Sequence, residues 1–289
     1  MDLDATASIV EEADALLVDW DGCVMQGGRL IEGADRFLRR FRDKIQIVSN
    51  NSTDLPDAFA ERLAREGVPI DTARVHLAGH LAVWHVVLHH PGARIFMLAT
   101  PELRGHARTC GLTLAKGQED ADTVLLLRDV GLTYDKLGRA INLVRAGARL
   151  IVANPDLTHP GDDGAVIPET GALLAAIAAC APAAEPLIIG KPSAALFEQA
   201  LRRAGIEPAS AVMIGDNPLT DIAGAEALGL KAVLIDPARG VTLGALADRL
   251  ERRDAGAPRG ARSVSVPERR RCAAAPRPSG RAVPAPGSR

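Results

Sequence analysis

The 289-residue chain has few aromatic side chains, which make up 3% of it, and it has only four cysteines. The cysteines lie far apart and form no C-x-x-C pair, so the sequence predicts neither a zinc site nor a disulfide framework. No apolar run is long enough to cross a membrane, and the acidic N-terminus lacks the basic and apolar regions of a signal peptide. We therefore expect a cytoplasmic protein with no membrane partner.

The chain also lacks a strong charge of either sign, since its formal net charge is -2. This balance argues against a specific nucleic-acid partner and favours a small-molecule one. The glycine-rich motifs G-x-G-x-x-G and G-x-x-x-x-G-K-[ST] are absent, which disfavours a nucleotide-binding module. Hydrophobic residues make up 47% of the chain, enough for two domains or one large one.

Short apolar runs alternate with amphipathic segments along most of the chain. Residues 16–19, 45–48 and 211–215 read as buried strands, and residues 34–42 and 134–146 read as helices. Such alternation is typical of an α/β fold with a mostly parallel sheet, in which ligands gather at the carboxyl ends of the strands.

The first of these strands ends in two carboxylates. Asp19 and Asp21 lie two residues apart, so an extended chain points them the same way, and Gly22 permits a sharp exit. Two like charges at this spacing repel unless a cation or protons offset them, which motivates a magnesium hypothesis. The alternative is an ordinary Asp-x-Asp-Gly turn.

Three further apolar runs end in polar groups. The run at 45–48 leads into Ser49, Asn50 and Asn51, which suit a phosphate or, equally, the N-cap of a following helix; the two interpretations are compatible. A later run delivers Lys191, and the run at 211–215 is followed by acidic residues, Asp216 and Asp221. A polar loop with two prolines, residues 153–160, has the constrained character of a binding loop.

These patterns together resemble the four motifs of the haloacid dehalogenase-like phosphatases: D-x-D-G, a Ser or Thr after a strand, a Lys, and G-D-x-x-x-x-D. Here they are Asp19-Trp-Asp-Gly, Ser49-Asn-Asn, Gly190-Lys-Pro and Gly215-Asp-Asn-Pro-Leu-Thr-Asp. More narrowly, Ser-Asn-Asn-Ser-Thr, Asn-Pro-Asp and Gly-Lys-Pro-Ser resemble the NagD-like or para-nitrophenyl phosphatase subfamily, which includes pyridoxal phosphate and phosphoglycolate phosphatases. The resemblance covers about residues 16–235.

The resemblance implies a doubly wound α/β core, here residues 1–78 and 187–253, with an inserted α/β cap at 79–186. A homodimer through the cap is a further implication. Residues 254–289 are rich in Arg, Pro and Ala without apolar periodicity, which predicts a disordered tail.

The resemblance also implies a role for each motif residue in a magnesium-dependent phosphatase. Asp19 would attack phosphorus and form an aspartyl-phosphate, and Asp21 would serve as acid and then base. An Asp19 oxygen, the Asp21 backbone carbonyl and Asp216 would hold Mg²⁺. The remaining site residues are phosphate-binding (Ser49, Asn50, Asn51 and Lys191) or orient the lysine or metal-bound water (Asp221).

Substrate choice is assigned by the resemblance to the cap, where Asn154, Asp156 and His159 are the candidates. The stretch Pro168-Glu169-Thr170-Gly171 departs from the usual Pro-Gly-x-Gly of the subfamily, so the local turn is expected to differ. Two alternatives to a phosphatase stay open: a phosphotransferase, and a protein that binds a phosphorylated metabolite without turnover. Retention of Asp19, Asp21, Lys191 and Asp216 argues against the second, because binding alone needs no nucleophile and acid pair.

Overall fold

The computed structural model describes residues 2–115, 121–160 and 165–256. The strands of these residues, in chain order, are β1 (Ala15–Val18), β2 (Met25–Gln26), β3 (Arg29–Leu30), β4 (Ile45–Ser49), β5 (Val75–Leu77), β6 (Arg94–Leu98), β7 (Thr113–Leu114), β8 (Thr123–Leu126), β9 (Arg149–Val152), β10 (Thr158–Pro160), β11 (Val166–Pro168), β12 (Leu187–Ile188), β13 (Ala211–Gly215) and β14 (Lys231–Leu234).

The helices are α1 (Leu3–Glu12), α2 (Ala34–Arg40), α3 (Pro56–Arg65), α4 (Ala78–His89), α5 (Pro101–Thr109), α6 (Tyr134–Arg145), α7 (Thr170–Cys180), α8 (Ala194–Ala204), α9 (Ala223–Ala227) and α10 (Leu243–Gly256). Within the described chain, no helix is both long and apolar enough to span a bilayer.

Two five-stranded parallel sheets organise the molecule. The first has the order β14-β13-β1-β4-β5, and the second has the order β12-β9-β8-β6-β7. Two short antiparallel hairpins, β2-β3 and β10-β11, lie outside these sheets. The predicted α/β architecture with a parallel sheet is confirmed.

Each sheet is buried on both faces, which explains why its strands read as continuous apolar runs. In β1, Leu16 and Val18 pack into a core that also takes residues of α1, α2, α3 and α10, whereas Leu17 faces the core formed with α8. In β6 of the second sheet, Ile95 and Phe96 likewise enter separate cores. A parallel sheet with an apolar layer on each face is typical of a doubly wound α/β fold.

The second sheet is drawn mainly from the segment expected to form the cap, and the two-domain division stays a prediction. One boundary differs in detail. Leu187 and Ile188, which we expected to begin the returning core segment, pair with Ile151 and Val152 of β9 and so extend the second sheet. The pairing places the return to the first sheet after residue 188.

The last helix extends into the predicted tail. We expected the tail to start at residue 254, but Asp254 and the next two residues continue α10, and the Asp254 carboxylate pairs with Arg40 at 2.7 Å. The rest of the predicted tail, residues 257–289, lies outside the described residues.

Candidate active site

Three neighbouring strands of the first sheet end at one edge, and each delivers a predicted site residue there. Asp19 follows β1, Ser49 ends β4 and Asp216 follows β13. The pairing of β1 with β13 continues one residue past β1, because the backbone amide of Asp19 donates to the carbonyl of Ile214 at 2.9 Å. The parallel sheet therefore fixes the nucleophile candidate by main-chain bonds, as expected for a site at the carboxyl ends of strands.

Lys191 reaches the same edge from the segment between β12 and α8. Its Nζ donates to Asp19 Oδ1 at 2.5 Å and to the Val48 carbonyl at 3.1 Å, and it lies 2.6 Å from Asp221 Oδ1. Lys191 is 2% exposed and Asp221 is fully buried. Asp221 is thus committed to the lysine, with its other oxygen accepting from the Asn217 amide at 3.1 Å.

The charges at this edge are strongly coupled. Burial opposes the charged form of Lys191, but the carboxylates of Asp19 and Asp221 raise its pKa above its ordinary value, so the ammonium stays charged. Burial raises the pKa of Asp19, and the Lys191 charge opposes that rise. Desolvation likewise raises the pKa of Asp21 and of Asp216. A compact group of carboxylates around one cation is a typical feature of catalytic sites.

The loop after β4 is held by its own side chains. Ser49 Oγ accepts from the Asn51 amide at 3.1 Å, and Asn51 Oδ1 accepts from the amides of Thr53 and Asp54 at 3.0 and 2.9 Å. The Asn51 side chain therefore stabilises a local turn, and its contribution to ligand binding is to hold the loop in shape.

Asn50 links this loop to two distant segments. Its Oδ1 accepts from the Lys191 amide at 2.7 Å, and its Nδ2 donates to the Lys191 carbonyl and to Asp156 Oδ2, each at 3.0 Å. Asp156, predicted as a specificity residue, is thereby brought to the site, and burial raises the pKa of its carboxyl.

Asn154, predicted as a specificity residue, joins the loop after β4 to the loop after β9. Its side chain is fully buried, and Nδ2 donates to the Asn50 carbonyl at 2.6 Å and to Ser52 Oγ at 3.3 Å. Its Oδ1 accepts from the Asp156 amide at 3.1 Å. The Asn154 amide thus joins the two loops, and a contact between Asn154 and substrate stays a prediction.

His159 lies in the β10-β11 hairpin, and its surroundings contain two residues that the sequence reasoning did not select. Its Nδ1 is 2.6 Å from Glu169 Oε1, and the same oxygen is 3.2 Å from Arg128 Nη1. Glu169 occupies the position where the subfamily motif has glycine. Its backbone is extended, with φ −109°, so no glycine is needed there. The departure from the motif was the signal that could have found it.

The acidic edge fits a divalent cation. Ligand atoms of Asp19, Cys23 and Asp216 lie within 4.8 Å of one another. Gly22 has φ +80°, and a side chain on it would overlap the Asp216 carboxylate, so the glycine leaves room for that oxygen donor. Burial raises the pKa of the Cys23 thiol well above its ordinary value, so this residue, which was not predicted, remains a neutral neighbour. The oxygen donors that remain are those a hard cation prefers.

Two family models match the chain. "Haloacid dehalogenase-like hydrolase" matches residues 16–113, and a second HAD hydrolase-like model matches residues 188–257. Sugar-phosphatase AraL of Bacillus subtilis is 30% identical over 223 residues, which are 76% of this chain and 82% of AraL.

Solved structures agree with these matches. The 4-nitrophenylphosphatase of Thermotoga maritima superposes with a TM-score of 0.75 at 26% identity, covering 83% of this chain and 98% of that one. The glycerol phosphate phosphatase of Mycobacterium tuberculosis, in complex with calcium, gives 0.72 at 29% identity, covering 82% and 76%.

Asp19, Lys191 and Asp216 lie together at the carboxyl edge of a parallel sheet. With the matches above, this arrangement identifies the protein as a phosphoric monoester hydrolase with an α/β fold. The chain belongs to the haloacid dehalogenase-like hydrolases, and the resemblance to their NagD-like, para-nitrophenyl phosphatase subfamily is confirmed. Its relatives bear the names of phosphatases of small phosphorylated compounds, and enzymes of this family generally use a divalent metal.

Proposed function

We propose that this protein is a magnesium-dependent phosphatase that hydrolyses the phosphomonoester of a small phosphorylated metabolite through an aspartyl-phosphate intermediate. The observation that carries the proposal is the 2.5 Å contact between Lys191 Nζ and Asp19 Oδ1 at the ends of parallel strands. A buried carboxylate paired with a fixed ammonium is suited to receive a phosphoryl group, because the cation offsets the charge that accumulates as two anions approach.

In the first half-reaction, an oxygen of Asp19 attacks phosphorus and the bond from phosphorus to the ester oxygen breaks. The proton that the leaving oxygen requires comes from Asp21, whose carboxyl is kept protonated more readily by desolvation, which raises its pKa. Lys191 stabilises the phosphoryl oxygens. Ser49 and the amides of the Asn50 and Asn51 loop are proposed to donate hydrogen bonds to the same oxygens.

In the second half-reaction, water attacks the aspartyl-phosphate and the bond between phosphorus and Asp19 breaks. Asp21, now a carboxylate, takes the proton from this water, so the residue ends the cycle protonated as it began. Asp221 keeps Lys191 in place throughout, through the 2.6 Å contact between them.

Mg²⁺ would be held by Asp19, the Asp21 backbone carbonyl and Asp216, and when bound it would neutralise charge on the phosphate and on the nucleophile. The proposal for magnesium rests on the oxygen donors described above and on the family's general use of a divalent metal.

Sugar phosphates and glycerol phosphate are proposed as the substrate class, since relatives are named for such compounds. Asp156 and His159 are the cap residues proposed to face the substrate.

The cap boundaries, the homodimer through the cap and the cytoplasmic location remain predictions. A phosphotransferase or a non-catalytic phosphometabolite-binding protein are the alternatives on the same fold.

The experiment is phosphate release from a panel of esters, with and without Mg²⁺. The panel contains 4-nitrophenyl phosphate, glycerol phosphate, dihydroxyacetone phosphate, pyridoxal phosphate, phosphoglycolate and a nucleotide, and the Asp19→Asn protein is the blank. Magnesium-dependent release that the blank lacks supports the proposal. Binding of an ester to folded protein without release would favour the non-catalytic alternative, and phosphate transfer to an added alcohol in preference to water would favour the phosphotransferase.

A further inference from the structure

Glu169 forms a charged unit with two residues from other segments, on the cap side of the proposed site. Its Oε1 lies 3.2 Å from Arg128 Nη1 and 2.6 Å from His159 Nδ1. The side chains are 14%, 22% and 31% exposed for Glu169, Arg128 and His159, respectively, so the carboxylate is the most enclosed of the three. A single carboxylate oxygen is thus shared by a guanidinium and an imidazole in a partly desolvated place, where such contacts are stronger than at an open surface.

The unit is tied to the loop that follows β4. The backbone amide of Arg128 donates to Ser52 Oγ at 3.2 Å. Ser52 Oγ in turn lies 2.8 Å from Oγ1 of Thr170, the residue that follows Glu169 in the chain. Ser52 and Thr170 are both buried. Arg128 and Glu169 therefore approach the site from two strands of the cap segment and are held against the loop proposed to bind phosphate.

This arrangement fixes how His159 presents its ring. The Nδ1 edge of the ring faces the Glu169 carboxylate at 2.6 Å, which leaves Nε2 as the polar atom on the opposite edge of the imidazole. Asp156, three positions earlier in the same loop, accepts from Asn50 Nδ2 at 3.0 Å, so the loop that carries His159 lies against the proposed phosphate-binding residues.

We propose that Glu169 is a positioning residue, which together with Arg128 holds His159 so that Nε2 meets a hydroxyl or carbonyl oxygen on the leaving group of the substrate. The unit selects phosphate esters with polar, oxygen-bearing leaving groups over apolar aryl esters. This inference rests on the proposed phosphatase function and adds to it a chain-specific determinant of substrate choice, because Glu169 stands where the subfamily motif has glycine.

The backbone does not need this carboxylate. Glu169 has extended dihedral angles, φ −109° and ψ −175°, which any residue adopts. Its Oε2 accepts weakly from the Thr170 amide at 3.3 Å at the start of α7. Glutamine retains the shape of the side chain and an oxygen for that amide. Glu169→Gln therefore removes the negative charge between Arg128 and His159 with the least effect on folding.

The test compares two esters in four proteins: wild type, Glu169→Gln, His159→Ala and the double variant. The esters are 4-nitrophenyl phosphate and the polar ester of the panel that wild type hydrolyses fastest. We expect each single variant to raise KM for the polar ester by about tenfold with kcat within about threefold, since the lost contact is made in ground and transition states alike. For 4-nitrophenyl phosphate, kcat/KM should fall by a factor at least about three times smaller than the fall for the polar ester.

The double variant distinguishes action through His159 from a separate effect. If Glu169 acts through the imidazole, the double variant loses no more than His159→Ala alone, because the two residues form one unit. Losses that multiply, or equal losses on both esters, would overturn the proposal. Glu185→Gln, which removes an exposed charge of the same kind, is the matched control, and all variants should melt at the wild-type temperature.

Failure of the proposed function is seen separately. If wild type releases no phosphate from any ester, the phosphatase proposal fails before a variant is compared. The positioning role is then read from binding alone, by calorimetric titration of glycerol phosphate and of inorganic phosphate into Asp19→Asn protein with and without Glu169→Gln. A weaker affinity for the ester but an unchanged affinity for phosphate supports the role of Glu169, and unchanged affinity for both overturns it.

Discussion

The ammonium nitrogen of Lys191 lies 2.5 Å from Oδ1 of Asp19, although 172 positions separate the two residues in the chain. The contact is buried, and the lysine also meets Asp221, so one cation is shared by two carboxylates. The first sheet supplies Asp19, and a segment returning from the second sheet supplies Lys191. The contact therefore couples the integrity of the site to the correct assembly of both sheets.

Asp19→Asn should abolish turnover, and Asp21→Asn should reduce kcat by about 10²- to 10⁴-fold, the range typical of a lost general acid–base. An amide at position 19 has no carboxylate oxygen to attack phosphorus. The measurement is steady-state phosphate release at saturating Mg²⁺, with Asp135→Asn, an exposed residue at the start of α6, as control. Near-wild-type rates in either active-site variant would refute the assigned roles.

Lys191→Met should both inactivate and destabilise the protein. The substitution leaves the Asp19 and Asp221 carboxylates buried without their shared cation, and breaking a buried ion pair in this way costs about 3–5 kcal/mol of unfolding free energy. Urea unfolding in the presence of chelator measures the loss.

A second substitution separates this electrostatic cause from a packing effect. Adding Asp221→Asn to Lys191→Met removes one of the two unpaired charges, so part of the lost stability should return while activity does not. A double variant less stable than Lys191→Met would show that repulsion between the carboxylates is not the cause.

Asp216→Asn should raise the Mg²⁺ concentration needed for half-maximal activity, by about tenfold or more, because a neutral amide oxygen replaces a charged ligand of a hard cation. Chelator should abolish the wild-type activity, and added Mg²⁺ should restore it. The measurement is a magnesium titration of phosphate release. The conclusion would be withdrawn if Asp216→Asn and wild type titrated at the same magnesium concentration.

The strands that carry the site were predictable because each is buried on both faces and therefore reads as an uninterrupted apolar run. Residues 211–215 were predicted with the bounds that β13 has. The polar groups after β1, β4 and β13 were predictable for the same reason, since the carboxyl ends of parallel strands share one edge of the sheet.

The short elements were not predictable, because they depend on tertiary pairing. His76 lies on β5, whose three residues are strand only because β4 provides partners. The β2-β3 hairpin after Gly22 has strands of only two residues each. Two or three residues carry too little periodicity to distinguish a strand from a loop.

The long-range polar contacts were equally hidden. Asn154 was chosen as a substrate residue from a short motif, yet its amide joins the loop after β4 to that after β9. Glu169 and Arg128 meet across 41 positions, and nothing local in either stretch indicates the other. Residue type predicts that a buried amide or carboxylate is hydrogen-bonded, whereas the fold determines which donors and acceptors lie close enough to pair with it.

His76 makes the stability of the fold depend on pH. Its Nε2 lies 2.9 Å from Gln46 Oε1 and its ring is 2% exposed. Burial lowers the pKa of His76 to about 4, and the charges of Arg203 and His80 act in the same direction. A histidine in an unfolded chain has a pKa of about 6.5. Between pH 6.5 and 4, His76 therefore binds a proton in the unfolded state but not in the folded state.

The contribution of His76 to stability is therefore fully present above about pH 6.5 and is lost as the pH falls towards 4. His76→Gln should reduce the fall in unfolding free energy between pH 7 and pH 4.5 by about 2 kcal/mol, since glutamine has no proton to take up. The measurement is urea unfolding of wild type and variant at both pH values, with the exposed His89→Gln as control. Carboxylates titrate in both proteins, so only the difference in slope reports on the buried imidazole. Equal slopes in His76→Gln and wild type would mean that the imidazole gains a proton in the folded state as easily as in the unfolded one, which its burial against Gln46 argues against.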